Sequence, residues 1–254
     1  MTTTISQRRD KILALAYKNN HVSIKQLSHE LGVSEATIRR DLQGIAAEGL
    51  LELSHGGASV VRNNADYSFI SKSMRNSEAK KIIASLAINL INDGDLIFLG
   101  SGTTCFELAK LLRGKRDITV IVNSVRTAQE LEAPGLNVLM LGGQFRPDRM
   151  DCIGPIAAQT LDQLRGYTAF LGTDGLNMDF GFTSIDIESA NILHLAVKNS
   201  TEVIVLADSS KFDKLALYKT TETHNVSKVI TEKRPTNAWC QFFKDNGIEL
   251  IFSD

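Results

Sequence analysis

Between residues 34 and 48 the chain reads SEATIRRDLQGIAAE. On a helix of about 3.6 residues per turn, Ile38, Leu42 and Ile45 stack on one face while Ala36, Thr37, Arg40 and Gln43 fall on the opposite one. One face is built to pack, and the other is free to read a surface. Ser34 is a good N-cap, and Gly32 before it permits a sharp turn. The same periodicity predicts two earlier helices. The first spans 6–19, with Ile12, Leu13, Leu15 and Ala16 inward; the second spans 23–31, where Ser23 and Gln26 have capping-box spacing. Beyond the third helix, Gly49 stands where a C-cap is expected, residues 50–54 read as a strand, His55-Gly56-Gly57 as a turn and 58–61 as the returning strand. Three helices and a hairpin make a winged helix-turn-helix.

From residue 63 to residue 77 the periodicity disappears and Asn, Asp and Ser accumulate, which predicts a linker. A helical pattern resumes over 78–91, so three segments are expected: a winged helix-turn-helix over 1–62, the linker over 63–77, and a second domain over 78–254. In that domain short apolar runs alternate with amphipathic segments. The runs LIFL, TVIV, VLML, AFL and VIVL, then KVIT and ELIF, are continuous and rich in β-branched residues, as strands covered on both faces should be. Strand alternating with helix predicts an α/β fold around a mostly parallel sheet.

Composition adds bounds. The chain has 254 residues, 43% of them hydrophobic and 22% charged, with a formal net charge of -1, which suits a globular protein with a sizeable core. A slight basic excess, eight Lys and Arg against six Asp and Glu, sits in residues 1–62. Cys105, Cys152 and Cys240 are odd in number and widely spaced, so reduced, buried thiols are expected, with no disulfide framework, metal site or cofactor. No apolar run approaches the roughly 20 residues that span a bilayer, and MTTTISQRRD lacks the core of a signal peptide. A cytoplasmic protein with no membrane partner is the expectation.

The candidate chemistry lies just past the strands. Gly100-Ser101-Gly102-Thr103-Thr104, Asn123-Ser124, Gly142-Gly143-Gln144, Gly172-Thr173-Asp174-Gly175 and Asp208-Ser209-Ser210-Lys211 each follow one. Any single instance is ordinary turn chemistry; five at the carboxyl ends of parallel strands, where such sheets bind ligands, predict a shared site. The loop 100–104 opens a helix, so glycines, hydroxyls and unpaired backbone N–H groups converge where an anion is favoured. It is not a P-loop, since no G-x-x-x-x-G-K-[ST] is present, nor a dinucleotide fingerprint, since Cys105 replaces the third glycine. Lys211 adds a point charge, and Asp174, Asp186 and Glu188 are acceptors for sugar hydroxyls. Phosphate at one end and hydroxyl acceptors at the other describe a phosphorylated sugar or polyol.

SEATIRRDL, followed by a strand and HGGA, resembles the N-terminal domain of the DeoR family of bacterial transcription regulators. The resemblance continues through DGDLIFLGSGTT, TVIVNS, LGGQF, FLGTDG, GFTS and ADSSKF, and so covers nearly the whole chain. It implies that Thr37, Arg39 and Arg40 lead the contacts to double-stranded operator DNA, with Ser34, Glu35 and Gln43 beside them and His55 at the wing. By position Arg40 faces outward, toward a base edge, and Arg39 lies on the flank, toward a phosphate. The resemblance further implies a sensor domain similar to ribose-5-phosphate isomerase and CoA-transferase folds. There Ser101, Gly102, Thr103 and Thr104 would hold the effector's phosphate, while Asn123, Gly142, Gly143, Asp174, Gly175, Thr183, Glu188 and Lys211 line the rest. The chain departs from the family pattern at Gly100-Ser101, where many relatives carry Asp, and at Asn191-Ile192-Leu193, where a Lys-Arg pair is common. The function expected is a non-enzymatic repressor of a sugar or polyol operon, acting as a homodimer or homotetramer. An isomerase using Asp174 or Glu188 with Lys211, and an architectural DNA binder, are the alternatives.

Overall fold

The computed structural model describes residues 5–47, 51–60 and 69–253, and the chain divides into two compact units, Met1–Arg75 and Asn76–Asp254.

In the first unit, helices α1 (Ile5–Asn19), α2 (Ile24–Leu31) and α3 (Glu35–Ala47) pack around Ile12, Leu13, Ala16, Leu27, Ile38, Leu42 and Ile45. Ser23 caps α2 by accepting the Gln26 N–H, and Gly32 closes that helix in the left-handed region at φ 64°. The wing is β2 (Leu51–Ser54) and β3 (Gly57–Val60), joined by the turn at His55 and Gly56. A strand the pattern did not anticipate, β1 (His21–Ser23), pairs antiparallel with β3 and completes a sheet of order β1-β3-β2. Three residues are too few to carry a period. Gly57 shows why the wing needs glycine: a Cβ there would stand 2.0 Å from the carbonyl oxygen of Val22. The expected C-cap at Gly49, and Leu50 and Val61 of the hairpin, lie outside the described residues.

Residues 63–68 of the expected linker lie outside the described residues, and over 69–77 the linker reading needs correction. Residues Phe69–Met74 form a helix, α4, that packs against α1 with Met74 on the first unit's core, and Ser77 already begins α5 (Ser77–Ala87). FISKSM is too short for its period to stand out from the polar residues around it.

The second unit holds a seven-stranded, wholly parallel sheet. Its strands are β4 (Leu96–Leu99), β5 (Ile118–Val122), β6 (Leu136–Met140), β9 (Thr168–Gly172), β12 (Glu202–Leu206), β14 (Lys228–Thr231) and β15 (Glu249–Phe252), in the order β15-β14-β12-β9-β4-β5-β6. All seven apolar runs are members. Because side chains alternate along a strand, the sheet buries both faces. Ile97, Leu99, Val120, Phe170, Ile204 and Ile230 meet α5 and α6 (Thr103–Leu112) on one side. Phe98, Ile121, Ala169, Val203, Val205 and Val229 meet α8 (Pro155–Asp162), α9 (Ile187–Asn199) and α10 (Asn237–Asp245) on the other. Each large side chain so buried contributes about 1.5–3 kcal/mol.

Two small antiparallel pieces sit at the carboxyl end of this sheet. One is the hairpin of β7 (Gln144–Arg146) and β8 (Asp151–Ile153), which follows β6; the other is the sheet β10-β11-β13 formed by Gly175–Asn177, Gly181–Ser184 and Tyr218–Thr221. α7 (Val125–Glu130) follows β5. Among the described residues no helix is long and apolar enough to cross a membrane.

Gly57→Ala is expected to cost at least about 1–3 kcal/mol, because the new methyl group meets backbone that cannot swing aside. Thermal unfolding of the full chain reads this. A variant melting together with the parent would show that β1 does not pin the wing.

Candidate DNA-reading helix and effector site

On α3, Ile38, Leu42 and Ile45 are buried, whereas Arg39, Arg40 and Gln43 are exposed. The Ser34 hydroxyl accepts the Thr37 N–H at 3.3 Å and lies 3.0 Å from the Thr37 hydroxyl, so both residues help start the helix. Arg39 pairs with Glu35 one turn earlier at 3.9 Å, a solvent-exposed contact that is cheap to exchange for a phosphate. Arg40 makes no ion pair among the described residues, and His55 stands exposed at the wing's turn. Asp41 is turned inward: its carboxylate takes two hydrogen bonds from Arg8 of α1, at 2.6 and 3.2 Å, which raises the Arg8 pKa and ties α1 to α3. The exposed face of α3 is thus held from behind.

In the second unit the strand order reverses between β4 and β9, and their carboxyl ends meet. The Gly100 N–H donates to the Phe170 carbonyl at 3.0 Å, and the backbones of Gly102 and Gly172 run side by side. Gly102 precedes α6, whose first-turn N–H groups have no partner within the helix. Ser101 is half-buried beside them, and Thr103 and Thr104 show only 8% and 7% of their surface. Asp174, after β9, accepts hydrogen bonds from the Ser184 hydroxyl at 3.3 Å and the Ile185 N–H at 3.1 Å. The turn carrying Lys211 reaches the same neighbourhood through a bridge between Leu176 and Phe212. Glu188, in the first turn of α9, makes no hydrogen bond or ion pair among the described residues.

Four of the expected lining residues are engaged by the fold itself. Thr183 is fully buried, and its hydroxyl donates to the Gly175 carbonyl at 2.9 Å while accepting the Ala216 N–H at 3.0 Å. Asn123 is 2% exposed and holds β8 through the Cys152 carbonyl at 3.1 Å. A Cβ on Gly143 would lie 2.5 Å from the Ile153 carbonyl oxygen, and one on Gly175 would lie 2.6 Å from that of Lys214, so glycine is required at both by close packing. Gly142 has open space around it. Asp186, read as an acceptor for sugar hydroxyls, is occupied. It caps α9 through the Ser189 N–H at 2.9 Å and accepts Arg146 at 2.9 Å.

Arg146 was not foreseen. Its guanidinium grips Asp151 in bidentate fashion at 2.8 and 2.9 Å and reaches Asp186 with a third N–H, so the hairpin after β6 is fastened to the start of α9. Arg149 lies 3.4 Å from the same Asp186 carboxylate. Burial raises the Asp186 pKa, but hydrogen bonds from Ser189 and Arg146 outweigh it and leave the group below the ordinary carboxylate range. Of the thiols, Cys105 and Cys152 are buried and Cys240 is half-buried; burial pushes Cys105 up to about 12, an unreactive thiol beneath the cradle.

Comparison with known proteins matches residues 8–64 to the DeoR-like helix-turn-helix domain and residues 75–233 to the DeoR C terminal sensor domain. The chain belongs to the DeoR family. It is 35% identical to the lactose phosphotransferase system repressor of Lactococcus lactis, over 82% of this chain and 83% of that one. It is 31% identical to the transcriptional repressor AccR of Agrobacterium fabrum, over 89% and 88%. A D-ribose-5-phosphate isomerase in complex with phospho-erythronic acid overlaps 54% of each chain at 21% identity and a TM-score of 0.41, too loosely to bear on chemistry.

Arg146 and Asp151 escaped sequence reading of this DeoR-family regulator because their pairing depends on a hairpin, QFRPDRMDCI, whose strands are three residues each. The one available signal was a cluster of charges shortly after an apolar run. Because the Asp186 pKa is depressed on folding, its contribution to stability is present above the unfolded value of about 4 and is lost as pH falls through the lower folded value. Asp186→Asn should therefore be less stable than the parent in urea at pH 7, and the gap should close toward pH 3. An equal gap at both would mean the carboxylate's charge is not what stabilises the α9 terminus.

Proposed function

We propose that this DeoR-family regulator represses a sugar or polyol utilisation operon and that a phosphorylated sugar or polyol modulates its grip on the operator. The observation that carries the DNA side is the split of α3 into a buried stripe and an exposed face bearing Arg40 and Gln43, with Arg39 on the flank. Such a helix enters the major groove with its first turns at the base edges. Arg40 reaches guanine O6 and N7, Arg39 exchanges Glu35 for a phosphate, and Ser34, Glu35, Thr37 and Gln43 border them, with His55 beside the backbone. One short helix buries too little surface for operator-level affinity, so the working form is a homodimer or homotetramer on a near-palindromic site. The operator is chromosomal, which makes the protein cytoplasmic.

The effector side is supported by the α6 N-terminus at the reversal of strand order, the position where open parallel sheets take ligands. Ser101, Gly102, Thr103 and Thr104 hold the phosphate there through hydroxyls and backbone N–H groups, with Lys211 adding charge. Asp174 and Glu188 accept hydrogen bonds from the polyol, and Gly142 leaves room beside it. Asn123, Gly143, Gly175 and Thr183 shape these loops from beneath. The Lactococcus relative is named as a repressor of a lactose phosphotransferase system, in keeping with this reading. Ligand and operator prefer different arrangements of the oligomer, and their coupling is a difference of affinities. No catalytic step is assigned: Asp174 already accepts the Ile185 N–H and the Ser184 hydroxyl.

Arg40→Ala should lose about 1–3 kcal/mol of operator affinity and relax preference at the contacted base, whereas Arg39→Ala should weaken all sequences alike and reduce the salt dependence. Mobility shifts on operator and scrambled DNA distinguish these, and an Arg40→Ala protein with the parent's preference would remove α3 from the base edges. Thr103→Glu sets negative charge where the phosphate belongs. It should bind operator normally and ignore hexose and pentose phosphates; a variant still released by them would move the anion site elsewhere.

A further inference from the structure

Lys211 occupies a short turn, Ser209–Lys211, that is fastened at both ends. At the front, Asp208 is 2% exposed; it accepts the Ser210 N–H at 3.0 Å and the side-chain amide of Asn76, just before α5, at 2.9 Å. At the rear, Phe212 meets the ring of Trp239 edge-on at 5.2 Å and that of Phe243 at 6.3 Å. Asp213 follows in the left-handed region at φ 56°, a conformation that costs a residue other than glycine free energy unless something holds it. What holds it is the indole N–H of Trp239, which donates to Asp213 Oδ1 at 3.0 Å. Trp239 is 2% exposed on α10, and α10 lies beyond residue 233, where the match to the sensor-domain model ends.

A lysine is a point charge on a flexible stem, so where its backbone stands decides which anion it can reach. The side chain of Lys211 has no hydrogen-bond or ion-pair partner among the described residues, so nothing but the turn itself fixes its origin. We infer that Trp239, through its hydrogen bond to Asp213 and its packing on Phe212, is the positioning residue that aims Lys211 at the anionic group of the effector. This rests on the sugar-phosphate reading of the same site. It assigns to the C-terminal helix a part in ligand binding rather than in folding alone. Because the chain contains one tryptophan, the same contact makes its indole a reporter of the turn.

The test uses the full chain with inorganic phosphate as probe, followed both by titration calorimetry and by tryptophan emission. Asp213→Gly removes the acceptor while suiting the positive φ, and Asp213→Asn keeps an acceptor and tolerates that backbone. The parent should bind phosphate with a change in emission. Asp213→Gly should bind it about 2- to 10-fold more weakly, the range of one ordinary hydrogen bond, and Asp213→Asn should recover most of the loss. Operator binding should be unchanged in both, and Lys211→Ala should abolish the emission change. Parental affinity in Asp213→Gly, or an emission spectrum that does not move when the parent is saturated, would overturn the positioning role. Absence of any phosphate binding by the parent would instead overturn the effector reading beneath it.

Discussion

Strands β4 and β9 lie side by side although two other strands and a hairpin separate them along the chain, and the backbone hydrogen bond from Gly100 to Phe170 ties their ends together. This adjacency is the constraint from which the sensor unit follows. From β4 the chain is laid down in one direction through β5 and β6; from β9 it runs the other way through β12, β14 and β15. Right-handed crossovers then place helices on both faces and leave a crevice where the two directions part. The start of α6 opens at that crevice because β4 ends there. Its unpaired N–H groups need a partner from outside the helix, and a phosphate supplies one in the proposed function.

Around that crevice the glycines divide by what they touch. Gly143 and Gly175 press against the carbonyls of Ile153 and Lys214, so packing alone demands them, as it demands Gly57 in the wing. Gly102 and Gly142 are different: an added Cβ would meet only the Gly172 Cα at 3.9 Å in the first case and nothing within 4 Å in the second. Space without a packing reason is what a ligand requires. The polar side chains divide likewise. Thr183, Asn123 and Asp186 are engaged with backbone or with Arg146, while Glu188 and Lys211 have no such partner among the described residues.

Much of this was legible in the sequence, for reasons of length and period. The seven apolar runs and the helices α2 and α3 carry enough residues for burial to impress a pattern, and Ser23 and Gly32 mark α2 at the positions where they act. Short pieces were not legible. β1, α4 and the β7–β8 hairpin have three to six residues each, too few to distinguish a period from chance. For the site, residue type and location after a strand identified the neighbourhood but not the duty of each group. Whether a buried threonine hydroxyl serves a ligand or the fold depends on distances between separate segments: that of Thr183 also accepts the Ala216 N–H, 33 residues further on. The same holds for Asp41, whose partner Arg8 stands 33 residues away.

The claim on which the account stands is that the first turn of α6 receives an anion. Amide hydrogen exchange of the full chain, with and without saturating inorganic phosphate, addresses it at the backbone groups themselves. Slowed exchange at Gly102, Thr103, Thr104 and Cys105, with α3 unaffected, is the result expected. Unchanged exchange in that turn, with protection appearing elsewhere in the sensor unit, would contradict it.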